Sequence, residues 1–260
     1  MHGAVGEAVS GWCPICCLEA SFCAATPGWR ESLACSGCDA RGGSLPRERA
    51  VAWALDLVRP DWRSLRVHEF APAGGALSQW LARECTGYSA SHWDDSAPRG
   101  AVVQGLSNED VHALTYGSGC FDVALSLDVL EHITAPDIAL AEVSRVLRPD
   151  GVHLFTTPTY AMPETIRTAR DQLDGTVEHL AEPEYHGSPN DPEGSLVYHR
   201  FGQDLLSLAR KWSGRDCAVM RFDAPGVGVA GYFTEVYVNG SLRSRPPSAE
   251  STNRRRWWGR

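Results

Sequence analysis

The sequence predicts an α/β protein in which a doubly wound, seven-stranded sheet follows a small cysteine-rich module. Three observations carry this. Six of the nine cysteines crowd between positions 13 and 38, short apolar runs alternate with helical patterns from Leu65 onward, and the last two strand-like runs follow a long insertion. At 260 residues the chain has room for one sizeable α/β core and a small appended unit. Apolar residues make up 43% and charged residues 22%, and no run approaches the ~18 apolar residues of a membrane span. Residues 1–10 place no basic residue ahead of an apolar run, so the expected compartment is the reducing cytoplasm, where structural disulfides are not expected.

The cysteine-rich module comes first in the chain, over residues 1–43. Cys13-Pro14-Ile15-Cys16 and Cys35-Ser36-Gly37-Cys38 are two C-x-x-C pairs separated by eighteen residues, a zinc-ribbon spacing. Each tight turn presents two thiolates to one side of a divalent ion, and four thiolates close the tetrahedron, so the expected Zn²⁺ is structural. A unit of about forty residues is too small for a core of its own, so metal binding supplies folding energy. Cys17 and Cys23 are alternative ligands, and Cys17 stands where a glycine is usual after such a turn.

A connecting helix is expected over 44–63, with Ser44 as cap, Pro46 in its first turn and an end near Val58 before Pro60. Ala50, Trp53, Ala54 and Leu57 share one face of it. The main domain, 64–240, reads as strands near 65–70, 86–89, 100–103, 121–127, 151–157, 217–222 and 231–238, with helices near 75–84, 136–147 and 202–212. The pattern is Rossmann-like, but seven strands set it apart from a six-stranded dinucleotide fold. Residues 241–260 hold six arginines against Glu250 and read as a disordered basic tail, leaving a net of −13 on residues 1–240. So acidic a body disfavours a phosphate backbone as substrate.

The strand ending Val67-His68-Glu69-Phe70 runs into Ala71-Pro72-Ala73-Gly74-Gly75 and then a helix, which is where a doubly wound sheet binds a nucleotide-like ligand. Asn108-Glu109-Asp110, then Phe121-Asp-Val-Ala-Leu-Ser-Leu-Asp-Val-Leu-Glu-His-Ile133, and fourteen residues later Arg148-Pro-Asp-Gly151, follow in order. Together these segments resemble the class I S-adenosylmethionine-dependent methyltransferases over residues 64 to 240, in a bacterial branch with an N-terminal zinc-ribbon-like module. The resemblance implies S-adenosylmethionine as cofactor. Glu69 would lie near its aminoacyl end and the loop of Ala71, Ala73 and Gly75; Glu109 and Asp110 would read the adenine edge; and Asp128 would border the methionine part and the acceptor.

Two positions depart from the family. Ala71 and Ala73 stand where glycines are usual; Pro72 is expected to hold Ala71 extended, so that any positive φ falls on Ala73, Gly74 or Gly75. At the expected end of strand two, Ser89 takes the place of an acid that grips the ribose, a loss of about 1.5–3 kcal/mol. The insertion 158–201, where this fold builds its acceptor pocket, holds His179, Tyr185, His186 and His199. Methyl transfer is mostly alignment, plus proton removal from a hydroxyl acceptor, so His186 is the candidate base, with His132 a second catalytic candidate and Glu131 a loop-packing residue. The expected function is O- or N-methylation of a biosynthetic small molecule. The alternatives are S-adenosylmethionine chemistry other than methyl transfer and a non-catalytic scaffold. A ribbon-clamped RNA methyltransferase fits less well, because residues 1–50 carry four arginines against five acids.

Overall fold

The computed structural model describes residues 8–26, 29–38, 43–187 and 194–241. The basic tail from 242 onward, residues 1–7 and part of the insertion that includes Pro189 and Pro192 lie outside the described residues.

The N-terminal unit is an antiparallel three-stranded sheet, β1 (Ala8–Cys13), β2 (Leu18–Ala24) and β3 (Leu33–Cys35), with a helical turn at Trp29–Glu31 between the last two. It has no core to itself. Ile15, Phe22 and Leu33 join one continuous apolar cluster with α1 (Pro46–Val58), Trp62, Trp80 and the main sheet. The join is close. A Cβ on Gly11 would lie 1.8 Å from the carbonyl oxygen of Gly226, and Gly228, at φ +68°, lies against the Phe22 ring and the Arg49 side chain. Arg49 is fully buried and donates to the carbonyls of Leu33, Ser44 and Gly228, tying the ribbon, α1 and the 225–227 turn together.

Pro46 opens α1, as its missing N–H predicts, but Ser44 does not cap it. The cap is at Leu45, whose N–H is taken by the Glu48 carboxylate at 2.6 Å, while the Ser44 hydroxyl accepts from Arg49. The buried guanidinium has the stronger claim on that hydroxyl, because a buried cation left without acceptors costs more than an open helix end.

The remaining elements are β4 (Arg66–Phe70), α2 (Ala76–Glu84), β5 (Gly87–His92), β6 (Val102–Val103), β7 (Leu106–Asn108), β8 (Phe121–Leu127), α3 (Pro136–Val146) and β9 (Leu147–Thr156). In the insertion follow β10 (Ile166–Arg167), β11 (Ala169–Asp171), β12 (Val177–His179), β13 (Tyr185–His186), β14 (Ser195–Leu196) and β15 (His199–Arg200), and then α4 (Leu205–Ser213), β16 (Cys217–Met220) and β17 (Val236–Gly240). The insertion is three small antiparallel pairs, β10 with β15, β11 with β12 and β13 with β14.

The main sheet runs β16-β17-β9-β8-β4-β5-β7-β6. It has eight strands where seven are expected, because the segment near 100–103 folds as a hairpin: β7 is the parallel member and β6 an antiparallel edge added outside it. β9 begins at Leu147, four residues early, with a register shift opposite Phe121–Val123. β4 pairs in parallel with both β5 and β8, so the chain reverses its direction of winding at β4 and opens a crevice at that carboxyl edge. The near-continuous apolar runs of β8 and the second half of β9 suit strands covered on both faces. No helix among the described residues is long and apolar enough to cross a membrane.

Candidate functional site

The loop after β4 carries its strain at Ala71, which takes φ +48°, with Gly74 at +69°. The expected extended Ala71 is therefore corrected, whereas Gly74 is one of the three positions expected to take a positive φ. The Ala71 N–H is fixed on the Ser91 carbonyl at 2.8 Å, and a left-handed alanine costs about 1–2 kcal/mol, which that anchored turn absorbs. Gly75 is the N-cap of α2, and a Cβ there would stand 3.2 Å from the Glu48 carboxylate. The start of α2 thus faces an acid from α1, with the Ala76 N–H on the Gly43 carbonyl. Burial raises the Glu48 pKa, while amides of Leu45 and Leu77 and two flanking arginines hold it back down.

Glu69 is buried and accepts from the hydroxyls of Tyr88 (2.6 Å) and Ser78 (3.1 Å). Desolvation pushes its pKa up to about 7. Glu109 is equally buried and accepts from the Thr115 amide and hydroxyl, and Asp110 accepts from the amide and Nδ1 of His112. Both stand just past β7 at the carboxyl edge, with these contacts directed into their own loop. Asp128, just past β8, takes φ +52° and is held by Arg30 from the ribbon, by Arg47 of α1 at 2.9 Å and by the Thr156 hydroxyl at 2.8 Å.

Ser89 is not at the end of strand two. β5 runs on to His92, and Ser89 pairs with His68, whose Nδ1 it meets at 2.8 Å. Asp94 and Asp95 follow the true strand end. Asp94 is pinned by its N–H to the Asn108 side chain at 2.8 Å and accepts from Ser96. The strand therefore ends three residues later than expected, and the first acids past its end are Asp94 and Asp95.

His132 and His186, distant in sequence, come together. Their rings lie 5.1 Å apart at right angles, with Glu131 between them. β13 places His186 and its pairing with β14 fixes the register, His186 opposite Ser195. The His132 Nδ1 is 2.8 Å from the Leu196 carbonyl, and the His186 Nε2 is 3.1 Å from the Glu184 carboxylate. Glu131 is 1% exposed, with one oxygen on the Thr157 hydroxyl and the other, Oε1, 3.7 Å from His186 and 3.9 Å from His132. Contact with Glu131 and Glu184 raises the His186 pKa against the opposing effect of burial. Glu131, expected only to pack its loop, is the acid facing both rings; the adjacent Glu-His pair in the turn after β8 is the sequence signal for it. His199 is structural, buried, bonded to the Ile133 carbonyl and lowered to about 4 by desolvation, and His179 is exposed.

Cys13, Cys16, Cys35 and Cys38 are buried together, with Sγ pairs at 3.7 and 3.9 Å. A tetrahedron with 2.3 Å Zn–S bonds has edges of about 3.8 Å, so the four fit that ion. Cys17 and Cys23 are exposed residues outside this cluster, the Cys17 thiol lying on the Pro14 carbonyl, and Cys17 takes φ +56°, the conformation for which a glycine is usual there.

Residues 68–155, which span the crevice from β4 to β9, match the family model of the methyltransferase domain. That match covers about a third of the chain, on the main sheet. Among curated proteins the chain is 26% identical over 168 residues to a ubiquinone biosynthesis O-methyltransferase of Sinorhizobium fredii, covering 58% of this chain and 68% of that protein. It is 31% identical over 125 residues to the protein of the same name from Parvibaculum lavamentivorans, covering 44% and 49% respectively, so it spans only about half of that relative. Among solved structures, an S-adenosylmethionine-dependent methyltransferase from Mesorhizobium loti aligns with a TM-score of 0.48 at 17% identity, over 73% of this chain and 97% of that one. The family model and the named relatives support an S-adenosylmethionine-dependent methyltransferase.

Proposed function

We propose that this protein transfers a methyl group from S-adenosylmethionine to a hydroxyl of a small molecule. The observation that carries the choice of oxygen is the Glu131–His132–His186 cluster at the carboxyl edge of β8 and β9: a hydroxyl acceptor must lose a proton, and this is where the chain gathers groups able to promote that loss. Bound S-adenosylmethionine supplies an electrophilic methyl. In this reading the chain's own residues align it, with the turn Ala71–Gly75 under its aminoacyl end and Glu69 and Asp128 beside it. Glu109 and Asp110 flank the adenine, and Asp94 replaces Ser89 as the ribose acid. Two relatives named as O-methyltransferases support a small acceptor, as does the acidic body.

The ribbon in the same reading holds a structural zinc on Cys13, Cys16, Cys35 and Cys38, with Arg49 as the buried cation near the thiolates. A zinc tetrathiolate is a dianion, so a neighbouring guanidinium lowers the cost of burying it.

A scaffold that has kept the fold is the second reading, favoured by the protein partners already on Glu69, Glu109 and Asp128. Calorimetry with S-adenosylmethionine and S-adenosylhomocysteine separates the two. Measurable binding of both ligands well below millimolar concentration, followed by release of S-adenosylhomocysteine with a hydroxyl acceptor, is expected of the enzyme. No heat and no thermal shift at millimolar ligand overturns it in favour of the scaffold.

A further inference from the structure

We propose that Glu131, His132 and His186 form a metal site for a divalent first-row ion, separate from the four cysteines. One ligand atom from each residue lies within 4.8 Å of the others. The Glu131 Oε1 is buried, has no hydrogen-bond partner, and lies 3.7 and 3.9 Å from the two imidazoles, too far for hydrogen bonds. Donors sharing one ion at bonds of about 2.1 Å stand about 3.0–3.4 Å apart, so the two carboxylate–imidazole distances need shorten by only about half an ångström, and the third pair already lies within 4.8 Å.

The outer contacts point the same way. A carbonyl can only accept, so the His132 Nδ1 carries the proton it gives to Leu196, and in the neutral ring Nε2 keeps its lone pair, facing Glu131. The His186 Nε2 is likewise turned to the Glu184 carboxylate, itself anchored by Arg200 at 2.7 Å, which leaves Nδ1 facing Glu131. Two imidazoles, each tied by its outer nitrogen to a carbonyl or carboxylate and aimed by its inner nitrogen at one buried carboxylate oxygen, are the arrangement of metal-ligating histidines. Two histidines and one carboxylate leave coordination positions open, and suit Zn²⁺, Fe²⁺, Co²⁺ or Mn²⁺ rather than Ca²⁺. Protonation of His186 is the competing way to compensate Glu131.

The role of the ion rests on the methyltransferase reading. An acceptor hydroxyl at an open position would be acidified by the ion and would give its proton to solvent water; its oxygen would then attack the methyl in line, forming the O–CH3 bond as the S–CH3 bond breaks and S-adenosylhomocysteine leaves as the neutral thioether. His186 is then a ligand rather than the base.

Cobalt(II) titration of protein whose cysteines are first loaded with zinc tests the site. One further ion per chain is expected, with ligand-field bands and no thiolate-to-cobalt charge transfer. Glu131→Gln keeps the Thr157 contact, His186→Ala alters a half-exposed strand residue, and each should weaken this cobalt at least tenfold with the melting transition retained. Unchanged cobalt in both variants, or no cobalt beyond the thiolates, overturns the site. S-adenosylhomocysteine calorimetry on the same samples keeps the two readings apart. Cofactor binding without this cobalt refutes the metal alone, and cobalt without cofactor binding refutes the methyltransferase reading while the site stands.

Discussion

Replacing Arg49 by leucine tests the weld between ribbon and catalytic domain. The guanidinium has no solvent exposure and donates to the carbonyls of Gly228 (2.9 Å), Ser44 (2.5 Å) and Leu33 (2.6 Å) and to the Ser44 hydroxyl (2.8 Å). Leucine leaves three buried carbonyls without donors, at about 1–3 kcal/mol each. Fresh apolar burial returns about 1.5–3 kcal/mol, so mid-range values leave a net loss of about 4 kcal/mol. That corresponds to a fall in melting temperature of roughly 8–16 °C. Urea unfolding of zinc-loaded wild type and Arg49→Leu reads the difference, and Arg49→Lys, which keeps the charge but not the fork, should fall between them. A loss below about 1 kcal/mol for Arg49→Leu would refute the argument, showing that the three carbonyls reach water or other donors.

Glu69 should make stability fall with rising pH. Its folded pKa of about 7 exceeds the ordinary 4.5, so its contribution is full below pH 4.5 and is lost as pH rises through 7. The difference corresponds to roughly 3 kcal/mol, and Glu69→Gln should remove that part of the decline between urea melts at pH 5 and pH 8. An identical decline in the variant would assign it elsewhere. Asp94→Ala should weaken S-adenosylmethionine about 10- to 150-fold through loss of a charged hydrogen bond, whereas Ser89→Asp, mid-strand beside His68, should not tighten it; the reverse pattern in calorimetry would restore Ser89 as the ribose position. Cys35→Ser should lower the zinc content of the ribbon, measured by elemental analysis, and because the ribbon shares its core with α1 the whole domain should melt earlier; undiminished zinc would exclude the four-cysteine set.

The sequence by itself determined the features written in local spacing. Two C-x-x-C turns predict the four cysteines that meet, because thiolate pairs at fixed short spacing leave few other arrangements. The apolar runs predict β4 and β8 to within a residue and α2 and α3 nearly so, since period and punctuation are local properties. What needed tertiary structure was every outcome of competition between distant groups. Ser44 reads as a cap until a buried Arg49 takes its hydroxyl. Ser89 reads as a strand end until pairing with β4 as far as Ser91, and with β7 at His92, carries β5 on. Asp128 reads as a group bordering the ligand, and only the packed ribbon shows Arg30 and Arg47 already on its carboxylate. Glu131 reads as loop packing because nothing within its own segment says that residue 186 will return beside it. That return is fixed by the β13–β14 pairing and by the burial that strips Glu131 of water, and neither is a property of any short stretch of chain.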